Sequence, residues 1–166
     1  MSPDISNLLQ LLDQAYDKKS WHGPNLRGSL RGLTALQAAF RPSSERHSIA
    51  EIALHAAYWK YVVRRRLLNE KRGSFPLKGS NWIKPPSPLT ESEWARCLAL
   101  LESVHQSLRA AIADLKPSDL SRAAANSKVT NCMLIEGIAL HDVYHAGQIQ
   151  LLKRLYLTRS RLRRFP

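Results

Sequence analysis

Acidic side chains are scarce in this chain: 13 Asp and Glu stand against 25 Lys and Arg, a formal charge of +12 over 166 residues. Cysteine is scarcer. The two present, Cys97 and Cys132, fall in separate predicted helices and form no Cys-x-x-Cys pair. A dithiol site therefore drops out, and the pair reads as small buried residues in a reducing compartment. No stretch approaches the roughly 20 uninterrupted apolar residues of a membrane span, and the start Met1-Ser-Pro-Asp-Ile-Ser lacks a signal-peptide core. The expectation is a cytoplasmic protein with no membrane partner. Period-two alternation is missing too, which excludes a sheet, and no internal repeat or low-complexity segment stands out.

The basic excess invites a nucleic-acid reading, because polyanions attract such surfaces. Yet the chain carries neither a recognition-helix motif nor the aromatic signature of a nucleic-acid module. Much of the excess is local, in Arg64-Arg65-Arg66 and from Arg154 to Arg164. The segment Arg159–Pro166 reads as a frayed basic tail near a helix C-terminus, where cations are favoured. An acidic small-molecule ligand is the better use of these charges than nucleic acid.

What is present is helical periodicity in an ordinary apolar fraction of 44%, enough for one domain over residues 1–166. Ile5, Leu8, Leu9, Leu12 and Tyr16 share a face of a first helix from about Asp4 to Lys18. Trp21-His-Gly-Pro24 lies in a connector, and Leu26 to Leu36 suggest short helical turns. Ser48 and Glu51 form a capping box that opens a second helix, running to about Asn69. Gly73, Pro76, Gly79, Pro85, Pro86 and Pro88 then forbid a helix. Thr90 and Glu93 open a third, ended by Lys116-Pro117, and a fourth runs from near Thr130 to about Tyr156. The joint between the second and third is far longer than the two to eight residues or so that an antiparallel pair needs. It is long enough to cross a bundle, so the two helices are expected parallel in an all-α four-helix bundle.

His141 and His145 stand one turn apart in an otherwise apolar stripe of the fourth helix, with Gln148 in the same sector. At that spacing the imidazoles share a face, about 6 Å apart at Cβ. His55 sits in a similar setting on the second helix. Buried imidazoles cost free energy unless their nitrogens are satisfied, and a metal is a common partner. Three imidazoles without a thiolate leave open positions on the ion; zinc or nickel is the first guess. Taken singly, each would be an ordinary core histidine bonded to a carbonyl. His105, on the apolar face of the third helix, is read that way, and His47 as loop. Glu136 points away, against a di-iron carboxylate site. Around the trio the pocket candidates are Gln148 as a hydrogen-bond partner, Tyr144 and Trp59 as walls, His22 at the mouth, and Glu51, more simply a cap partner. Arg66 alone of the three arginines shares the sector of His55 and is the anion-anchoring candidate. Asp142 reads as a helix-face carboxylate. Gly137 and Gly147 are expected to permit close helix contact.

With Trp21-His-Gly-Pro24, Ser48-Ile-Ala-Glu51 through His55 and Trp59, and His141-Asp-Val-Tyr-His-Ala-Gly-Gln-Ile149 in order, the chain resembles the DinB/YfiT-like superfamily of metal-dependent enzymes. The resemblance implies an up-down-down-up bundle, a divalent metal held by His55, His141 and His145, and a homodimer. It also implies kinship with transferases and isomerases that use low-molecular-weight thiols. The leading expectation is thus a thiol S-transferase, in which a metal-activated thiol attacks an electrophile. A metal-dependent hydrolase using water in place of the thiol needs the same ligands. A non-catalytic metal-binding stress protein is the third reading.

Overall fold

A computed structural model describes residues 4–73, 75–123 and 127–162; the last part of the basic tail lies outside them. Among the described residues there are six α-helices and no strand: α1 Ile5–Tyr16, α2 Leu26–Leu30, α3 Ala35–Ala38, α4 Ile49–Leu67, α5 Glu91–Ala113 and α6 Asn131–Leu162. The protein is all-helical, as the periodicity predicted. Both expected capping boxes form: Ser48 accepts from Glu51 N–H while Glu51 reaches back, and Thr90 does the same with Glu93. Helix α6 continues to Leu162, beyond the expected end near Tyr156. No Gly or Pro interrupts that stretch, and Leu and Arg are strong helix formers.

Helix α4 packs on α5 and α6, and α1 packs on α6 and α5. Two apolar clusters result. One gathers the first half of α4, from Ile49 to Ala57, with Leu101 of α5 and Ile149 and Leu152 of α6. The other gathers Val63 and Leu67 of α4, Leu108 and Ile112 of α5, and Ile135, Ile138 and Ala139 of α6, against Leu8 and Leu12 of α1. Each fully buried Leu or Ile contributes about 1.5–3 kcal/mol. On each of α4, α5 and α6 a buried polar residue falls between the two clusters: Lys60, then His105, then Asp142 and His145. A polar waist divides the core.

Segment 68–90, between α4 and α5, is more than a connector. Its Ile83 is buried in the first cluster, and its Asn81 and Trp82 reach the waist. Gly137 and Gly147 correct the expectation made for them. A Cβ at either would have nothing within 4 Å, so neither serves close contact between helices within the chain.

Candidate metal centre

Spacing alone brings His141 and His145 together on α6; packing against α4 adds His55. The Nε2 atoms of His55 and His145 each lie 3.1 Å from Nε2 of His141. The three ligand nitrogens all fall within 4.8 Å of one another. Nitrogens sharing one ion at about 2.0–2.1 Å stand about 2.9–3.4 Å apart in octahedral to tetrahedral geometry, and both separations to His141 fall in that range.

Tautomers decide what this means chemically. Asn81 O can only accept, so His55 Nδ1–H donates to it, 3.1 Å away. His145 Nδ1–H donates to Gln148 Oε1 at 2.7 Å, and Gln148 Nε2 in turn donates to the Tyr144 hydroxyl at 3.0 Å. Both rings must then turn bare Nε2 lone pairs toward His141. One proton on His141 Nε2 bonds only one of them well, and His141 Nδ1 is buried without a partner among the described residues. A cation at the centre satisfies all three lone pairs together. The donor set fits a divalent metal.

Electrostatics agree with that geometry. Burial pushes the His55 imidazole down to about 4. His141 falls to about 3, through burial first and then the neighbouring His145, His55 and Lys60. Burial lowers His145 as well, against its bond to Gln148. At neutral pH no proton competes for these nitrogens.

Trp82 stacks on His55 with centroids 3.8 Å apart and planes at 10°, and its other face stacks on His47 at 3.6 Å. His47, in the loop before α4 as expected, is therefore also part of the wall. Trp59 donates Nε1–H to Asn81 Oδ1 at 2.9 Å and faces both His55 and His141 edge-on. Asn81 holds a left-handed backbone, φ 60°, which Asn tolerates better than most residues. From that turn its carbonyl fixes one imidazole and its side chain fixes Trp59.

The remaining sequence candidates lie elsewhere. Glu51 is buried in its cap and ion-paired with Arg41. His22 is exposed, and no hydrogen bond or ring contact among the described residues ties it to the trio. Arg66 stands eleven residues beyond His55 on α4, about 16 Å along the axis, so it touches none of the three. His105 is buried but meets Lys60 Nζ at 3.3 Å from its Nδ1, not a carbonyl, and stacks on Tyr16 at 3.6 Å. Asp142 is fully buried and paired with Lys60, because its side of α6 is enclosed by the neighbouring helices. Its Oδ1 has no hydrogen-bond partner among the described residues. Asn81, Trp82 and Lys60 were missed. An aromatic inside a Gly/Pro-rich connector signalled the second. Lys60, spaced four from Ala56 and three from Val63 on an apolar stripe, was equally visible.

Comparison with known proteins comes to one family. The chain belongs to the DinB superfamily, which it matches over residues 20–149. The crystal structure of a conserved protein from Enterococcus faecalis is similar, with a TM-score of 0.66 and 17% sequence identity, covering 92% of this chain and 96% of that one. At that identity the likeness concerns the fold alone. No curated protein matches.

Proposed function

We propose that this protein is a divalent-metal-dependent enzyme of the thiol S-transferase type, with zinc or nickel held by His55, His141 and His145. The observation that carries it is the convergence of three Nε2 atoms, two with tautomers fixed from behind by Asn81 and Gln148. Membership of a generally metal-binding superfamily supports the same reading. An ion with only three protein ligands supplies a Lewis acid with open positions, able to lower the pKa of a small thiol or of water. The chain's own residues set the geometry. Asn81 and Gln148 hold two rings in place, Trp82 covers the His55 face, and Trp59 walls the side toward the crossover.

Elemental analysis of protein purified without added metal, with zinc and nickel titrations, tests the site. Stoichiometric binding that disappears in His141→Ala is expected; an unmetallated protein that binds neither ion sinks the proposal. Offering metal-loaded protein several cellular thiols and a generic electrophile tests the reaction class. Turnover that needs no thiol reassigns the chemistry to hydrolysis, and no turnover at all favours a metal-binding role without catalysis.

The same proposal takes the chain as one domain with an up-down-down-up order. Leu54 of α4 and Cys97 of α5 border one cavity, while Lys60 meets His105 further along both helices, which supports a parallel pair. His105 and Arg109 meet Tyr16 and Asp13 in reversed order, which supports α1 antiparallel to α5. Free Cys97 and Cys132 support a cytoplasmic location; among the described residues no helix is long and apolar enough to cross a membrane. A homodimer is part of the reading as well. Met133, Leu140, Tyr144 and Leu151 are each more than half exposed along α6, and Gly137 and Gly147 fall between them at three- and four-residue spacings. Such a stripe suits a close helix pair. Light scattering checks it: a wild-type dimer that Leu140→Glu dissociates is expected, and a monomeric wild type at high concentration removes it.

A further inference from the structure

A second concavity adjoins the histidine trio. It is a groove of about 670 Å³ between the C-terminal half of α4 and the crossover segment. Four cations line it, Arg65 and Arg66 from the helix and Arg72 and Lys78 from the crossover, and no carboxylate does among the described residues. Neighbouring Arg64 is neutralised by Glu70 at 2.6 Å. Among the described residues Arg66, Arg72 and Lys78 have no such ion pair, and Arg65, which donates Nη1–H to the Glu70 carbonyl at 3.0 Å, has its buried Nε without a hydrogen-bond partner.

Like charges gathered in a concavity repel one another, and an anion relieves that repulsion while satisfying the guanidinium donors. The rest of the wall is aromatic. Tyr58 meets Phe75 edge-on at 5.4 Å and Trp59 at 6.0 Å. Trp59 and Asn81 line this groove and also contact His55. From Trp59 to Arg66 is two turns of α4, about 10 Å, the length of a small extended molecule.

We infer that the groove binds the oxyanion end, carboxylate or phosphate, of a small organic molecule whose other end points past Trp59 toward the three histidines. The direction of the ligand rests on the metal-enzyme reading; the anion site itself does not. Nucleic acid fits less well, because the cations converge into a hollow instead of following an extended stripe.

Calorimetric titration of the full chain with S-methylglutathione and with inorganic pyrophosphate tests the inference. The first offers two carboxylates with its sulfur blocked, and the second offers phosphate alone. Saturable binding of either probe is expected, weaker at higher salt. It should weaken about tenfold or more in Arg66→Gln/Arg72→Gln, a loss typical of removed charge-assisted bonds. Which probe binds assigns carboxylate or phosphate. His141→Ala should leave the affinity unchanged, and the arginine variant should melt normally and keep its zinc binding. Binding of neither probe, unchanged affinity in the double variant, or saturation only by a single-stranded oligonucleotide overturns the site. Loss of zinc binding in His141→Ala is read separately, so failure of the metal reading and failure of the groove are distinguishable.

Discussion

His141 and Asp142 are neighbours in the chain, yet their side chains enter two buried polar clusters of opposite character. On one side of α6, three neutral imidazoles turn their Nε2 atoms toward a common point. On the other, Lys60 and Asp142 face each other as an ion pair, with His105 against the ammonium and Tyr16 stacked on His105. In the second cluster one donor, the Lys60 ammonium, meets both an imidazole and a carboxylate oxygen; in the first, more lone pairs converge than one imidazole proton can satisfy. A core that keeps both has used one to tie helices together and left the other needing something from outside. The ion pair bridges α4 to α6 beside the residues that place His55 opposite His141. Burial sets the charges accordingly. It pushes His105 down to about 2 and raises Asp142 to about 6, the latter opposed by Lys60, so at neutral pH imidazole stays neutral and carboxylate ionised.

Acid should break both clusters and is the largest effect expected. An unfolded histidine titrates near 6.5, above every buried histidine in the waist. The unfolded chain therefore takes up protons that the folded one refuses between about 6.5 and 4. Stability conferred by the four depressed imidazoles is complete above about 6.5 and declines as pH falls below it. Asp142 acts in the reverse sense: its raised carboxyl gives stability below the unfolded value of 3.8 that is lost as pH rises through about 6. One carboxyl does not outweigh four imidazoles. The urea midpoint of chelated protein should drop clearly from pH 7.5 to 5, and an unchanged midpoint would show that these rings are not held neutral.

Single charge deletions come next. Lys60→Met or Asp142→Leu leaves its partner buried and unpaired and should cost about 3–5 kcal/mol. The double variant should recover most or all of that, since an apolar pair avoids desolvating two ions. Denaturant melts of the three variants read this directly; a double variant as unstable as the singles would mean the cluster does more than balance charge.

Metal should sharpen the contrast from the other side. Zinc at about 100 times its Kd should stabilise the native state by about 2.7 kcal/mol, a rise in Tm of roughly 5–10 °C for a chain of this size. His141→Ala should abolish the rise while Lys60→Met/Asp142→Leu keeps it. If both variants lose it, the clusters are not separable. The smallest effect is expected from Gln148→Ala, which frees His145 Nδ1 and should weaken metal affinity about tenfold, measured by competition with a chelator. No change would remove Gln148 from the site.

Much of this was legible in the residues. Two capping boxes, a run of Gly and Pro, and stripes at helical spacing gave the starts of the four long helices closely, though the last runs on to Leu162, and the i, i+4 histidines were visible because one helix fixes their separation. The parts that stayed hidden depend on contacts between distant segments. His105 looked like a carbonyl-bonded core residue because its partner, Lys60, lies on another helix. Asp142 looked like a helix-face carboxylate because only packing against other helices encloses it. Asn81 and Trp82 sit in a segment without period, whose path no local rule predicts.

Local chemistry, then, determined the helices, their ends and the pairing of His141 with His145, since hydrogen bonding and side-chain spacing act over a few residues. Packing alone decided that His55 joins them, that Lys60 finds Asp142, and that the crossover closes the wall. Those meetings are set by how the helices bury their apolar faces against one another, and by which polar groups that burial strands together.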